Sequence, residues 1–217
     1  MNSQKSLKVL LNTAHNFPDF PGVAYFLRYL HAGVEAAGID VDYALGFGAG
    51  AGTLNILVEP FDDAVARQLL ENKARSGNEY ILVATEFLTG DTLNAFGGTE
   101  ATDGTHYSRD TTWRMRHDAF MKAASGARAV WVTTEAQAPA FREKLPDIPV
   151  LPIPLRYAPA LNHSPKGDRT KYYDVLFLGA HTPYRQGLLH DLKSDIAIET
   201  PPFLPEMLYH PIASQAR

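Results

Sequence analysis

Glu86 is the residue best placed for acid–base chemistry, because it closely follows the apolar run from Tyr80 to Ala84. A carboxylate just beyond a buried strand can accept a proton or bind the hydroxyl groups of a ligand. His15 has a comparable position in the loop after the first apolar run of the chain. The alternatives are a local salt bridge or cap for Glu86 and an incidental surface histidine for His15.

A second group of residues has the types that hold phosphate. Gly179, Thr182 and Arg185 lie in YYDVLFLGAHTPYRQGLLHDL, where an apolar strand runs into a loop and then a predicted helix. Thr182 suits the N-cap of that helix, and Pro183 suits its first position. Arg185, one turn inside, could pair with a diphosphate through two parallel hydrogen bonds. The alternative is a plain helix start with a solvated arginine.

Further polar and glycine residues follow predicted strands and are candidates for lining a cleft. They are Thr13, Gly22, Thr85, Thr133 and Thr134. Gly22 is predicted to open a helix whose backbone N–H groups can hold an anion. The two threonines after ARAVWV are interpreted as helix caps first and as ligand contacts second.

Several kinds of site are excluded or disfavoured. The chain has no cysteine, which excludes disulfides, thiolate catalysis and cysteine-based zinc sites. His106 and His117 are not spaced as metal ligands on one helix face, so no metal site is predicted. The glycine-rich segment Gly46 to Gly52 lacks the spacing of a dinucleotide fingerprint and precedes a strand, so it is interpreted as a loop.

The bulk composition is that of an ordinary globular protein. The chain has 217 residues, 45% of them hydrophobic and 20% charged, with a net charge of −4. The absence of a basic run argues against a nucleic-acid partner. The apolar run from Val9 to Leu11 is too short for a signal peptide or a membrane span. We therefore expect a cytoplasmic protein without a transmembrane segment.

The elements that position these residues alternate between strand and helix about five times before residue 157. This pattern predicts an α/β fold with a doubly wound, mostly parallel, Rossmann-like sheet and helices on both faces. Ligands of such sheets bind at the carboxyl ends of the strands. The segment Leu88 to Ser108 is predicted to be a long functional or mobile loop. Thr134 to Gln137 has the spacing of a capping box.

A change of composition predicts a domain boundary. Residues 1–157 form the predicted first domain, residues 158–172 a polar linker, and residues 173–217 the first strand and helix of an incomplete second domain. An isolated strand and helix cannot bury their own apolar face. We therefore expect Val175 to Leu178 to add to the edge of the first sheet or to pair with another chain, which would allow a homo-oligomer.

The succession of these segments resembles glycosyltransferases of the GT-B fold, in particular CgeB-like and family-1-style bacterial enzymes. KVLLNTAHNFPDFPGVAYFLRYLHAGVEAAGIDVDY is similar to their amino-terminal strand, loop and helix, and ARAVWVTTEAQAPAFREKL to a later strand and helix start. VLPIPLRYAPAL resembles the end of their first domain. DVLFLGAHTPYRQGLLHDL resembles the opening of their donor-binding domain.

The resemblance implies transfer of a sugar from a nucleotide-sugar donor to a glycan or small-molecule acceptor, without a metal or cofactor. It implies that Gly179, Thr182 and Arg185 bind the donor phosphates, and that Glu86 or His15 contacts the acceptor or acts as the base. Residues 173–217 are much shorter than the family's second domain and lack its paired-glutamate segment. We therefore expect this chain to be a weak or inactive enzyme.

Two other classes of protein fit the sequence. One is a non-catalytic nucleotide- or sugar-binding module, or a protein-interaction module, derived from the same fold. The other is a flavodoxin-like or dinucleotide-binding enzyme, for which the chain lacks a proper phosphate fingerprint.

Overall fold

The computed structural model describes residues 7–13, 20–45, 53–58, 62–94, 110–153, 155, 161, 174–176, 183–193 and 195–199. The chain divides into two compact units, Met1–Ala158 and Pro159–Arg217.

The first unit alternates strands and helices in the order that the apolar pattern predicts. In chain order its elements are β1 (Lys8–Thr13), α1 (Phe20–Ala36), β2 (Asp40–Leu45), β3 (Thr53–Val58), α2 (Asp63–Ser76), β4 (Glu79–Ala84), β5 (Leu88–Thr89), β6 (Thr92–Leu93), α3 (Asp110–Ala124), β7 (Ala129–Val132), α4 (Ala138–Lys144) and β8 (Val150–Pro152).

Six of these strands form one parallel sheet in the order β2-β1-β3-β4-β7-β8. The doubly wound α/β fold predicted from the sequence is confirmed. The central strands β3 and β4 are almost wholly buried, as their continuous apolar runs require. Pro152 lies in β8 at the edge of the sheet, where a residue without a backbone N–H is tolerated.

The helices cover both faces of the sheet. From β1 the chain winds to β2 on one side, whereas from β3 it winds through β4 and β7 to β8 on the other. Right-handed crossovers in opposite directions place helices on opposite faces. One apolar core accordingly joins α1 to the sheet, and the other joins α2, α3 and α4 to it.

Helix α2 is delimited by the two residues that its sequence predicts. The Asp62 carboxylate accepts a hydrogen bond from the Val65 backbone N–H at 2.7 Å, which satisfies one of the free donors of the first turn. Gly77 ends the helix in the left-handed conformation, with φ 65°, and its N–H donates to the Lys73 carbonyl at 2.8 Å.

The structure corrects two local predictions. The segment from Leu88 does not begin as a loop, because β5 and β6 pair as an antiparallel hairpin around Gly90 and Asp91. The capping box at Thr134 does not form. Thr134 makes no side-chain cap hydrogen bond, a short 3-10 turn follows it, and α4 begins only at Ala138.

The second unit contains a small parallel βαβ arrangement. It consists of β9 (Val175–Leu176), α5 (Pro183–Leu192) and β10 (Ile198–Glu199). The backbone N–H groups of Asp174 and Val175 donate to the Ala197 carbonyl at 2.9 and 3.1 Å. The expectation that β9 adds to the first sheet is wrong, because β9 pairs with β10 in a separate two-stranded sheet.

Among the described helices, none combines the length and the apolar character needed to cross a membrane.

Candidate functional site

Five of the predicted site residues lie at or just beyond the carboxyl ends of parallel strands. Thr13 is the last residue of β1, Thr85 and Glu86 follow β4, and Thr133 and Thr134 follow β7. Because β4 and β7 are neighbours, the last two pairs lie side by side. Thr13 lies two strand spacings from β4, about 10 Å across the sheet. These strand ends form one polar edge, which we call the carboxyl rim.

The other predicted site residues are distributed differently. His15, Gly179 and Thr182 lie outside the described residues. Gly22 is the third residue of α1, so this helix begins earlier than predicted. Arg185 lies in the first turn of α5 in the second unit.

Glu86 is held by two side chains from different parts of the first unit. Its Oε1 accepts a hydrogen bond from Arg116 Nη2 at 3.0 Å, and its Oε2 accepts one from Asn94 Nδ2. The Glu86 side chain is 25% exposed and that of Arg116 only 14%, so solvent screens the ion pair incompletely. The Arg116 guanidinium lies 4.7 Å from the centroid of the Trp113 ring.

A salt bridge was the alternative to a catalytic role for Glu86, and Glu86 does form one, although with a partner 30 residues away and not a local one. Acceptor positions remain on the carboxylate, because its two ionised oxygens offer about four in all and two of them are occupied. The Arg116 and Asn94 bonds orient the group, and a ligand hydroxyl can still donate to it. The sequence did not predict Arg116 or Asn94 as partners, since they lie 30 and 8 residues away.

The β5–β6 hairpin positions Asn94 beside Glu86, and hydrogen bonds hold the base of the hairpin in place. Asn94 adopts a left-handed conformation with φ 51°. Its backbone N–H donates to the Phe87 carbonyl at 2.8 Å, and its Oδ1 accepts from the Phe87 N–H at 3.0 Å. Gln137 Oε1 accepts from the Leu88 N–H at 2.7 Å. The side chain predicted to close a capping box therefore holds the hairpin instead.

The tip of the hairpin is attached to α4 by an ion pair between Asp91 and Lys144. The hydrogen bond and charge of the Lys144 ammonium lower the pKa of the Asp91 carboxyl below its ordinary value. The same contact raises the pKa of Lys144. Because Asp91 is 85% exposed, this attachment is weak and salt-sensitive.

Thr134 and His117 each have a buried polar atom without a hydrogen-bond partner among the residues that the structure describes. These atoms are Oγ1 of Thr134, after β7, and Nε2 of His117, in α3. The His117 residue is 8% exposed, and its Nδ1 lies 2.9 Å from Asp118 Oδ1. Buried polar atoms of this kind are usually completed by an ordered water or a ligand.

Asn12 is a further polar residue at the carboxyl end of β1, and it is absent from the residues predicted above. It has no exposed surface. Its Nδ2 donates to Asn55 Oδ1 in β3 at 2.9 Å and to the Leu10 carbonyl at 3.1 Å. Its Oδ1 is buried and has no partner within the described part of the chain. An amide inside the apolar run KVLLNT was the signal that could have identified it.

No group of three or more His, Asp or Glu side chains within the described ranges is arranged to hold a metal ion. The segment Gly46 to Gly52 and His106 lie outside those ranges.

The six-stranded parallel sheet with helices on both faces defines a Rossmann-like α/β protein. Searches with the sequence match no protein-family model and no curated protein. The resemblance to GT-B glycosyltransferases therefore depends on the sequence segments that carry it.

Proposed function

We propose that the protein is a glycosyltransferase, weak or inactive as this short chain, that transfers a sugar from a nucleotide-sugar donor to a glycan or small-molecule hydroxyl. The observation that supports this most is the order of the two units. A six-stranded parallel sheet is followed by β9, α5 and β10, a second strand–helix–strand arrangement with parallel strands. The resemblance to GT-B enzymes implies such an opening for the donor-binding domain.

In this proposal Glu86 is the base at the carboxyl rim. It accepts the proton of the acceptor hydroxyl while the acceptor oxygen forms a bond to the anomeric carbon of the sugar. The bond between that carbon and the donor phosphate breaks, and the nucleoside diphosphate leaves. Arg116 and Asn94 orient the carboxylate. His15 is the alternative base.

The second unit has the donor-binding role in the proposal. Gly179, Thr182 and Arg185 bind the diphosphate, and the guanidinium of Arg185 supplies the positive charge. No metal or cofactor takes part. A cytoplasmic location and self-association through the short β9–β10 sheet belong to the same proposal.

Calorimetric titration of the purified full chain tests donor binding. UDP, GDP, UDP-glucose and GDP-mannose are added in the presence of a metal chelator. We expect at least one nucleotide to bind with a dissociation constant below about 1 mM, corresponding to about 4 kcal/mol. Absence of binding by all four at millimolar concentration would contradict the proposal.

Release of the nucleoside diphosphate from the donor tests catalysis. Glu86→Gln should lower this turnover at least about 100-fold, the usual contribution of a positioned base. Glu71→Gln is the matched control, because Glu71 is an exposed carboxylate of α2, far from the carboxyl rim in sequence. Equal, measurable turnover in the wild type and Glu86→Gln would exclude Glu86 as the base.

The second candidate function is a non-catalytic nucleotide- or sugar-binding module, or a protein-interaction module. The observation that favours it is that both carboxylate oxygens of Glu86 already accept hydrogen bonds. Saturable nucleotide binding without turnover, unchanged by Glu86→Gln, would select this function.

A further inference from the structure

Asn12 lies where the sheet changes its direction of winding. The chain leaves β1 toward β2 on one side and leaves β3 toward β4 on the other. Ligands of doubly wound sheets bind beyond the carboxyl ends of the two strands at this point. Asn12 is the next-to-last residue of β1, so it lies at that end of the strand.

The carboxamide of Asn12 is held in one orientation by the two hydrogen bonds that its Nδ2 donates. Both hydrogens of Nδ2 are used, one by the Leu10 carbonyl and one by Asn55 Oδ1. Because a backbone carbonyl can only accept, the first bond establishes which side-chain atom is nitrogen and which is oxygen. Asn55 is fixed in turn, since its Nδ2 donates to the Glu79 carbonyl at 3.3 Å.

The hydrogen bonds of Nδ2 imply that the remaining acceptor of Asn12, its Oδ1, faces the carboxyl rim. Leu10 and Asn55 are register partners across β1 and β3, closer to the amino ends of the strands than Asn12. Nδ2 therefore points toward the amino ends of the strands. Because the carboxamide is planar, Oδ1 is left on the side nearer the carboxyl end of β1. Asn12 has 0% exposed surface, and its Oδ1 has no partner among the described residues.

The chemistry around Oδ1 selects a neutral hydrogen-bond donor. A fully ionised phosphate ester or a sulfate has no hydrogen to donate to it. An ammonium group would need a nearby negative charge, and the register neighbours of Asn12 are Ala44 and Leu57. A hydroxyl group donates one hydrogen bond and carries no charge.

We propose that Asn12 Oδ1 binds a hydroxyl group of a sugar or polyol at the carboxyl end of β1. Asn55 positions the Asn12 carboxamide and does not contact the ligand. The proposal goes beyond sugar transfer, because it requires only a hydroxylated ligand and neither a nucleotide nor a reaction.

Side-chain NMR of Asn12 in the full chain tests this directly. Glucose, ribose and UDP-glucose are the hydroxylated probes, and sulfate and methylammonium are the controls. A hydrogen bond accepted by Oδ1 should shift the Asn12 ¹³Cγ signal in a saturable manner with at least one hydroxylated probe and with neither control. The proposal is overturned if no hydroxylated probe shifts the Asn12 signal at about 10 mM, or if either control shifts it.

A double variant separates ligand binding from structural support. Asn12→Leu with Asn55→Leu removes both side-chain amides together, a change with a small cost in stability because neither amide is left unpaired and only the Leu10 and Glu79 carbonyls each lose one donor. We expect this variant to keep its urea midpoint close to that of the wild type and to bind the responsive probe at least about tenfold more weakly. Unchanged affinity would assign the Asn pair a purely structural role. The wild-type NMR titration decides the matter if the variant does not fold.

The two proposals fail in different ways. Asn12-dependent binding of glucose or ribose without turnover of any nucleotide sugar would retain the Asn12 site and reject the glycosyltransferase. Turnover of a nucleotide sugar at the same rate in the wild type and the double variant would retain the glycosyltransferase and reject the Asn12 site.

Discussion

Glu86 and Arg116 form an ion pair of 3.0 Å between the carboxyl end of β4 and the middle of α3. The same guanidinium lies over the ring of Trp113, and the same carboxylate accepts from Asn94 on the β5–β6 hairpin. One strand end, one helix and one hairpin are thus joined at a single charged group. Any role of Glu86 in chemistry depends on this support.

Arg116→Met should destabilise the protein. It removes the ion pair and the contact with Trp113, and it leaves a carboxylate that is only 25% exposed with a single described donor. The ion pair is more buried than a surface salt bridge and less buried than one in the core. We therefore expect a loss of about 1–3 kcal/mol in the free energy of unfolding. Urea denaturation measures it.

Arg114→Met is the matched control, because Arg114 is an exposed residue of the same helix. Its free energy of unfolding should stay within about 0.5 kcal/mol of the wild type. A double-mutant cycle with Glu86→Gln should show that Arg116 and Glu86 are coupled. Equal effects of the two arginine variants would contradict an energetic role for the ion pair.

Gly126→Ala should also destabilise the protein, for a steric reason. A Cβ at this position would lie 2.5 Å from Leu70 Cδ2 and 2.6 Å from Tyr80 Oη. The Tyr80 hydroxyl cannot withdraw freely, since it donates to the Ala123 carbonyl at 2.8 Å. Overpacking of this kind costs about 1–3 kcal/mol, measurable as a lower urea midpoint.

Gly33→Ala is the opposite case and serves as the control. Gly33 lies in α1, and a Cβ at this position meets no atom from another part of the described chain within 4 Å. Alanine should therefore stabilise the helix by about 0.5–1 kcal/mol. If both alanine variants changed stability in the same direction, packing around Gly126 would not be the cause.

The fold could be predicted from the sequence because its signals are local. Continuous apolar runs identified the strands β1, β3 and β4, and Asp62 and Gly77 identified the ends of α2. These features depend on neighbouring residues alone.

The support of the site could not be predicted in the same way, since its partners are distant in sequence. Gln137 has capping-box spacing, yet it bonds the backbone of Leu88, 49 residues away. Asn12 and Asn55 are 43 residues apart. The β5–β6 hairpin did have a local signal, because Gly-Asp between two short runs is a typical two-residue turn. β10 has only two residues and gives no periodic pattern.

The ion pair between Asp91 and Lys144 should make the hairpin tip sensitive to acid. The pKa of Asp91 is lowered in the folded protein by the Lys144 ammonium. A lowered carboxyl pKa contributes stability that is present above the ordinary value of 3.8 and is lost as the pH falls through the folded value. NMR titration of the Asp91 carboxyl should show this midpoint, and Lys144→Met should raise it toward 3.8. An unchanged midpoint in Lys144→Met would show that the pair does not form in solution.

Tyr80 should make the protein less stable in strong base. The residue is 2% exposed, and burial raises its pKa from 10.0 to about 12, with a smaller contribution from the Glu79 charge. Because the unfolded chain ionises first, the stability contribution is fully present below pH 10 and is lost as the pH rises toward 12. A tenfold difference in acidity between the folded and unfolded states corresponds to about 1.4 kcal/mol, so the full loss over the shift from 10.0 to about 12 is on the order of 3 kcal/mol.

Comparison with Tyr80→Phe isolates this effect from the other tyrosines. Near neutral pH the variant should be less stable by about 1 kcal/mol, because the Ala123 carbonyl loses its hydrogen bond. Between pH 10 and about 12 the difference should shrink and then change sign, since phenylalanine has no proton to lose. The measurement is the urea unfolding free energy of both proteins across this range. Curves that stay parallel would mean that Tyr80 ionises as readily in the folded protein as in the unfolded chain.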